Sequence, residues 1–264
     1  MRYIKSRENK YLKQASKLKS KKYRAKEESF IIEGPKMVEE AIKHRSLLVR
    51  GFVDKEYVEE YDYLFQELCE IEWFLLDSKL MDSICDTRTP QGIAAVVKIP
   101  RWDLQSIISN SGFFVLLDHL ADPGNMGTII RTAWALGVDG VLLTEGCADP
   151  FSSKVVRSTM GGILNVPIFP DFAIDDIKSL KSDGYSLLCS SLESKRSLFS
   201  VDFTKSKILI IGNESQGVSE EIQQLCDVFF KIPINTQVDS LNAAIACAII
   251  VAEASKQRHG YFLS

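Results

Sequence analysis

Apolar residues in the second half of the chain fall in short unbroken runs rather than in alternation. FFVLLD (113–118), GVLLTE (140–145), NVPIFP (165–170), YSLLCSS (185–191), KILIIG (207–212) and VFFKIPI (228–234) each read as a strand covered on both faces. That pattern predicts a mostly parallel sheet. Between the runs, helical spacing places helices at 128–136, 152–160, 174–182 and 219–225. A last helix is expected over Leu241 to Gln257, with Ser240 as its N-cap.

The first half alternates in the same way on a smaller scale. SFIIEG (29–34), LLVRGFVD (47–54), EWFLL (72–76) and GIAAVVKIP (92–100) read as strands. PKMVEEAIKH opens with Pro at the first helical turn, YVEEYDYLFQEL has helical spacing, and DSKLMDSICDT has Asp77 placed to cap a helix. The expected organisation is a basic N-terminal arm or helix (1–28), a small α/β domain (29–99), a linker (100–112) and a larger α/β domain (113–264).

Charge alters this picture in one place. The net charge is only −3, but residues 1–26 hold eleven Lys or Arg against Glu8 alone, so that stretch is +10 and the remainder −13. Tyr3, Ile4, Tyr11, Leu12 and Leu18 form a sparse apolar stripe through it. A basic run with interleaved tyrosines points to nucleic acid; a solvated amphipathic helix is the plainer alternative. The six cysteines lack C-x-x-C spacing and no His stands at ligand distance, so no metal is expected and free thiols in a reducing cytoplasm are. Neither a signal peptide nor a membrane span is expected.

Three loops, each following a buried run, gather polar residues. The first, in DPGNMGTIIRTAWALG (122–137), sets Asn125 between Gly124 and Gly127, with Arg131 one turn into the following helix. The second, in IIGNESQGVSEEI (210–222), carries Gly212 and Glu214, a carboxylate placed to orient Arg131. The third, in IPINTQVDSLNAAIA (232–246), leads through Ser240, Leu241 and Asn242 into a helix slim with alanine. Ligands in such sheets gather at the strand carboxyl ends. The missing G-x-G-x-x-G argues against a nucleotide-dependent oxidoreductase, and no Walker A lysine follows either glycine loop.

In order, spacing and key residues these loops resemble the three motifs of the SpoU (TrmH-type) RNA 2′-O-ribose methyltransferases of the SPOUT superfamily, over residues 113–256. FIIEGPKMVEEAI and TRTPQGIAAVV resemble, more weakly, that family's substrate-binding domain. The resemblance implies an α/β fold whose C-terminal parallel sheet ends in a deep trefoil knot, homodimers built from the last helix and the first-motif helix, and RNA as partner. Ribosomal RNA is preferred over transfer RNA. It implies S-adenosylmethionine held by Gly212, Ile232 and Leu241, with Thr144 and Ser190 nearby. Arg131 would act as a cation that clamps a phosphate and steadies the forming alkoxide, and Asn125 would orient Arg131 or the ribose. Glu214, Ser240 and Asn242 would complete a polar ring. A non-catalytic RNA-binding protein of the same fold would be expected to lack some of Asn125, Arg131, Glu214 and Asn242, and all four are present.

Overall fold

The computed structural model describes residues 1–68, 70–108 and 112–260. Cys69, residues 109–111 of the expected linker and the C-terminal residues 261–264 lie outside the described residues. The chain divides into two units: Met1–Pro100 with Asp149–Leu164, and Arg101–Ala148 with Asn165–Ser264.

The chain order begins with β1 (Arg2–Tyr3), α1 (Lys10–Lys17), α2 (Lys21–Glu27), β2 (Ser29–Glu33) and α3 (Pro35–Ile42). β3 (Leu48–Asp54), α4 (Asp62–Glu67), β4 (Trp73–Leu76), α5 (Ser78–Ile84) and β5 (Ile93–Lys98) follow. The second unit opens with α6 (Leu104–Ile107), β6 (Phe113–Leu117), α7 (Pro123–Ala135) and β7 (Gly140–Leu143). Then come α8 (Ser153–Thr159), α9 (Gly162–Asn165), β8 (Ile168–Phe169), α10 (Ile174–Ser182) and β9 (Ser186–Ser190). The chain ends with β10 (Lys207–Ile211), α11 (Glu220–Gln223), β11 (Val228–Phe230) and α12 (Ala243–His259).

In the first unit the five strands run β1-β4-β3-β5-β2, with β5 antiparallel to both its neighbours. The N-terminal stretch is not a free arm. β1 pairs with β4, and Ile4, Leu12, Ala15 and Leu18 are buried in one cluster with Phe52, Phe74 and Leu80. Ile4, Leu12 and Leu18 of the apolar stripe are therefore core, with Tyr11 packed against them, while Tyr3 stays exposed and the lysines lie outside. Asp77 precedes α5 as expected but makes no side-chain cap; its carboxylate instead accepts from the Tyr3 hydroxyl at 2.8 Å and pairs with Lys55. Residues 149–164, expected in the larger domain, belong to this unit. Asp149 pairs with the buried Arg24, whose guanidinium also donates to the carbonyls of Leu18 and Lys19, and the Phe151 ring lies 5.3 Å from that of Phe30. These partners are remote in sequence, so no local spacing announced them.

In the second unit six strands run β11-β9-β10-β6-β7-β8, and every pairing is parallel. All five residues of β6 and of β10 are buried, as unbroken apolar runs require. α7 starts five residues earlier than expected. Pro123 takes its first position and Asp122 caps it, accepting from the Asn125 N–H at 2.7 Å. Asn125 thus sits in a first helical turn rather than in an open loop. α11 is one turn long. α12 is capped by Asn242, not Ser240: its Oδ1 accepts from the N–H groups of Ala244 and Ile245. α12 packs against α7.

Candidate active site

A cavity of about 560 Å³ opens in the second unit where β9, β10 and β11 end. Ser190, Gly212, Ile232, Ser240 and Leu241 line it, with Glu214 and Asn242 at the same wall. Its size and mixed lining suit a cofactor-sized molecule.

The loop after β10 is folded on itself. Asn213 and Gly217 exchange both backbone hydrogen bonds at 2.9 Å, and Gly217 takes a φ of 73°. A Cβ on Gly212 would lie 2.2 Å from the Gly217 carbonyl carbon and 2.3 Å from the Val218 nitrogen. Only glycine allows that approach. The Asn213 side chain ties the turn down, accepting from the Ser215 and Gln216 N–H groups and donating to the His119 carbonyl. Behind it Asp118, buried at the end of β6, accepts from the Ser219 N–H at 2.7 Å and from the Thr144 hydroxyl at 3.2 Å. The Thr144 oxygen accepts in turn from the His119 N–H. Thr144 therefore braces the loop from beneath and is not among the residues lining the cavity.

The three polar loops meet in a directed chain of side chains. Because Oδ1 of Asn242 caps α12, its Nδ2 is left to donate, and it does so to Oδ1 of Asn125 at 2.9 Å. That fixes the Asn125 amide in turn, so its Nδ2 donates to Oε1 of Glu214 at 2.9 Å. The same oxygen accepts from the Asp122 N–H at 3.2 Å. One helix cap thus sets the orientation of two amides and the placing of one carboxylate. Burial works against the Glu214 charge, but the Asn125 amide and the backbone N–H groups outweigh it and hold its pKa below the usual glutamate value.

Seven of the expected site residues, Ser190, Gly212, Glu214, Ile232, Ser240, Leu241 and Asn242, line the cavity, and Asn125 is hydrogen-bonded between Asn242 and Glu214 at its edge. Arg131 is not drawn in. It is exposed on α7, does not line the cavity, and makes no hydrogen bond or ion pair with the described residues. The partner expected for Glu214 was Arg131; the structure supplies Asn125 instead. Six residues on a helix turn a side chain by about 240°, which separates the two. Trp134, 38% exposed, lies on the same stripe of α7, and Ile245, 50% exposed, lies on α12. Asp118 and Asn213 join the site from outside the residues the sequence points to. The signal for Asp118 was a carboxylate closing a wholly apolar strand, which must find partners at the strand end.

Among the described residues no group of side chains could hold a metal ion, and no helix is long and apolar enough to cross a membrane. Two family models match the chain: the SpoU rRNA Methylase family over residues 112–252, and the MRM3-like substrate binding domain over residues 9–95. The chain is 33% identical over 252 residues to the Bacillus subtilis 23S rRNA (guanosine(2553)-2′-O)-methyltransferase RlmP, covering 95% of this chain and 98% of that one. It is 30% identical to the 23S rRNA (uridine(2479)-2′-O)-methyltransferase of Streptomyces viridochromogenes, covering 97% of this chain and 93% of that one. Among solved structures, an AdoMet-bound rRNA methyltransferase from Sinorhizobium meliloti superposes with a TM-score of 0.83 at 28% identity, over 100% of this chain and 99% of that one. The SpoU methyltransferase AviRb of Streptomyces viridochromogenes in complex with AdoMet also gives 0.83 at 28% identity, over 94% of this chain and 98% of that one.

Proposed function

The chain belongs to the SpoU rRNA methylase family, and we propose that it is an S-adenosylmethionine-dependent RNA methyltransferase acting on a ribose 2′-hydroxyl of ribosomal RNA. The carrying observation is the Asn242–Asn125–Glu214 chain at the lip of the cavity, which joins all three polar loops. Relatives named as 23S rRNA 2′-O-methyltransferases favour ribosomal over transfer RNA.

The cavity fits the cofactor on its own geometry. The tight 213–217 turn that glycine at 212 permits shapes one wall, and the lining sets the polar Ser190, Ser240 and Asn242 beside the apolar Ile232 and Leu241. Gly212, Ile232, Leu241 and Ser190 would hold it, with Thr144 bracing the loop from beneath. Bound there, S-adenosylmethionine supplies a methyl group activated by a sulfonium. The substrate hydroxyl is a poor nucleophile until its proton moves and its negative charge is met. Arg131 meets that charge as a fixed cation, since a guanidinium does not act as a base in proteins. Asn125 and Asn242 orient the ribose, Glu214 holds Asn125 in its donor orientation, and Ser240 closes the polar ring. A phosphate oxygen or water accepts the proton.

Arg131 shares its exposed helix face with Trp134, and Ile245 and Ile249 are exposed on the α12 helix packed beside it. This supports a homodimer through α7 and α12, in which a guanidinium absent from its own cavity reaches a ribose at the partner's. The first unit is assigned to substrate binding: ten of its eleven N-terminal Lys and Arg residues are exposed, Arg24 being the exception, and Lys10, Lys13 and Lys17 line one face of α1. The trefoil knot of the family is part of the same reading. The cytoplasm is the assigned compartment, consistent with free thiols at Cys85, Cys147, Cys189, Cys226 and Cys247. Ribose-methylation mapping of total RNA from cells lacking the protein tests the reading. One lost 2′-O-methyl in ribosomal RNA is expected; an unchanged map with no cofactor binding by calorimetry overturns it.

A further inference from the structure

The segment from Ser191 to Ser200 follows β9 at the rim of the cavity, with Ser191 and Leu192 among the lining residues. Its shape is set by a serine repeated at every third position. Ser191 Oγ accepts from the Glu193 N–H, Ser194 Oγ from the Arg196 N–H, and Ser197 Oγ from the Phe199 N–H. These are three hydroxyl-closed turns in succession. The segment is also laced to β11. Ser191 N–H donates to Phe230 O at 2.7 Å, the Ser194 hydroxyl to Phe229 O at 2.9 Å, Leu198 N–H to Lys231 O and Lys231 N–H to Arg196 O, both at 2.8 Å. Leu198 is wholly buried and anchors the far end.

Held this way, the segment presents Phe199 at 64% exposure, and Lys195 and Arg196 are exposed beside it. Lys231, bonded to the loop, lines the cavity and adds a third cation; Glu193 is the one acid in the loop. A lone exposed phenylalanine needs no explanation. One fixed on a cross-laced loop among cations, in a segment whose first residues line the cavity, has the composition of a base-stacking platform: a π-face for a base and cations for the flanking phosphates. Because the loop's hydrogen bonds are already made, little ordering is left for binding to supply.

We propose that this loop is a single-stranded RNA contact: Phe199 stacks on an unpaired base next to the target nucleotide, while Lys195, Arg196 and Lys231 meet its phosphates. The proposal rests on the RNA methyltransferase reading above and extends it to a substrate contact in the second unit itself. It predicts that the target lies in a loop or bulge, where a neighbouring base is free to stack.

The test uses the full chain, a fluorescein-labelled 12-nucleotide oligouridylate and an unmodified 23S rRNA transcript. Phe199→Ala is expected to weaken oligonucleotide binding roughly tenfold, in line with the loss of one base–aromatic stack. Phe199→Trp should retain it, and Lys195→Ala with Arg196→Ala should flatten the salt dependence by about 1.4 in log–log slope. Cofactor affinity and thermal midpoint should stay at the wild-type values. Equal oligonucleotide affinity for wild type and Phe199→Ala overturns the platform. So does a shift of Phe199→Ala from dimer to monomer in sedimentation, which would make Phe199 a contact between copies. Tritiated methyl transfer to the transcript by wild type separates the two levels. Its absence overturns the methyltransferase reading; its presence with equal affinities removes the platform alone.

Discussion

Replacing Asn125 by Asp changes one atom type in the side-chain relay and reverses its electrostatics. The new carboxylate still accepts from Asn242, but it cannot donate to Glu214, whose Oε1 lies 2.9 Å from the atom replaced. Two charges at that distance repel by about 1.4 kcal/mol at the dielectric of water and about 6 kcal/mol at an effective value of 20. Glu214 is largely exposed, so the lower end applies, about 1.5–3 kcal/mol, or one to two pH units on the pair. The pH dependence therefore inverts. In wild type the native pKa of Glu214 is lowered, so its contribution to stability is present above the unfolded glutamate pKa and is lost as pH falls through the native value. In Asn125→Asp the pair's native pKa is raised, so stability is kept at low pH and declines as pH rises from about 4 to about 7. Asn125→Ala loses the hydrogen bonds to both Asn242 and Glu214 but adds no repulsion, and is the control. Urea midpoints from pH 4 to 8 should place Asn125→Asp below Asn125→Ala at pH 8 and level with or above it at pH 4. Methyl transfer by Asn125→Asp at pH 8 should be at least a hundredfold down. Wild-type turnover and a flat pH profile in that variant would refute the relay.

Arg131→Ala is expected to abolish methyl transfer with cofactor affinity unchanged, and mixed dimers of Arg131→Ala with Asn242→Ala should regain part of the activity; scintillation counting of tritiated RNA checks both. Gly212→Ala forces the 213–217 turn outward, because the added carbon meets backbone rather than a movable side chain, and calorimetry should show cofactor binding lost. Asp149→Ala strands the Arg24 guanidinium, whose side chain is only 8% exposed, and should cost about 3–5 kcal/mol in urea unfolding of the first unit. Lys10, Lys13 and Lys17 replaced together by Gln should lower the salt slope of rRNA binding by about 2–3 without lowering the thermal midpoint.

The parallel sheet was readable because β6 and β10 are buried on both faces, and unbroken runs such as FFVLL and KILII have no other economical use. The same logic failed at the N-terminus. There, Leu12 and Leu18 are too sparse among lysines to announce a core, and only the distant β4 and α5 show what they pack against. At the site, Asn125, Glu214 and Asn242 were legible as residues, but their bonding was not. Amide direction depends on which oxygen caps α12, and helical phase decides that Asn125, not Arg131, meets Glu214. The start of α7 was missed because two glycines outweighed the Asp122–Pro123 signal, a cap followed by a first-turn proline.

The return of residues 149–164 to the first unit bears on how the protein is born. Until Asp149 has left the ribosome the Arg24 guanidinium has no carboxylate, and until Phe151 follows, Phe30 lacks its ring partner. By then β6, α7 and β7 have already been synthesised. The N-terminal unit therefore cannot mature first and wait, as leading domains ordinarily do. It is finished only by an excursion from a sheet still being made, and a nascent chain stalled near residue 145 should remain sensitive to protease throughout its first hundred residues.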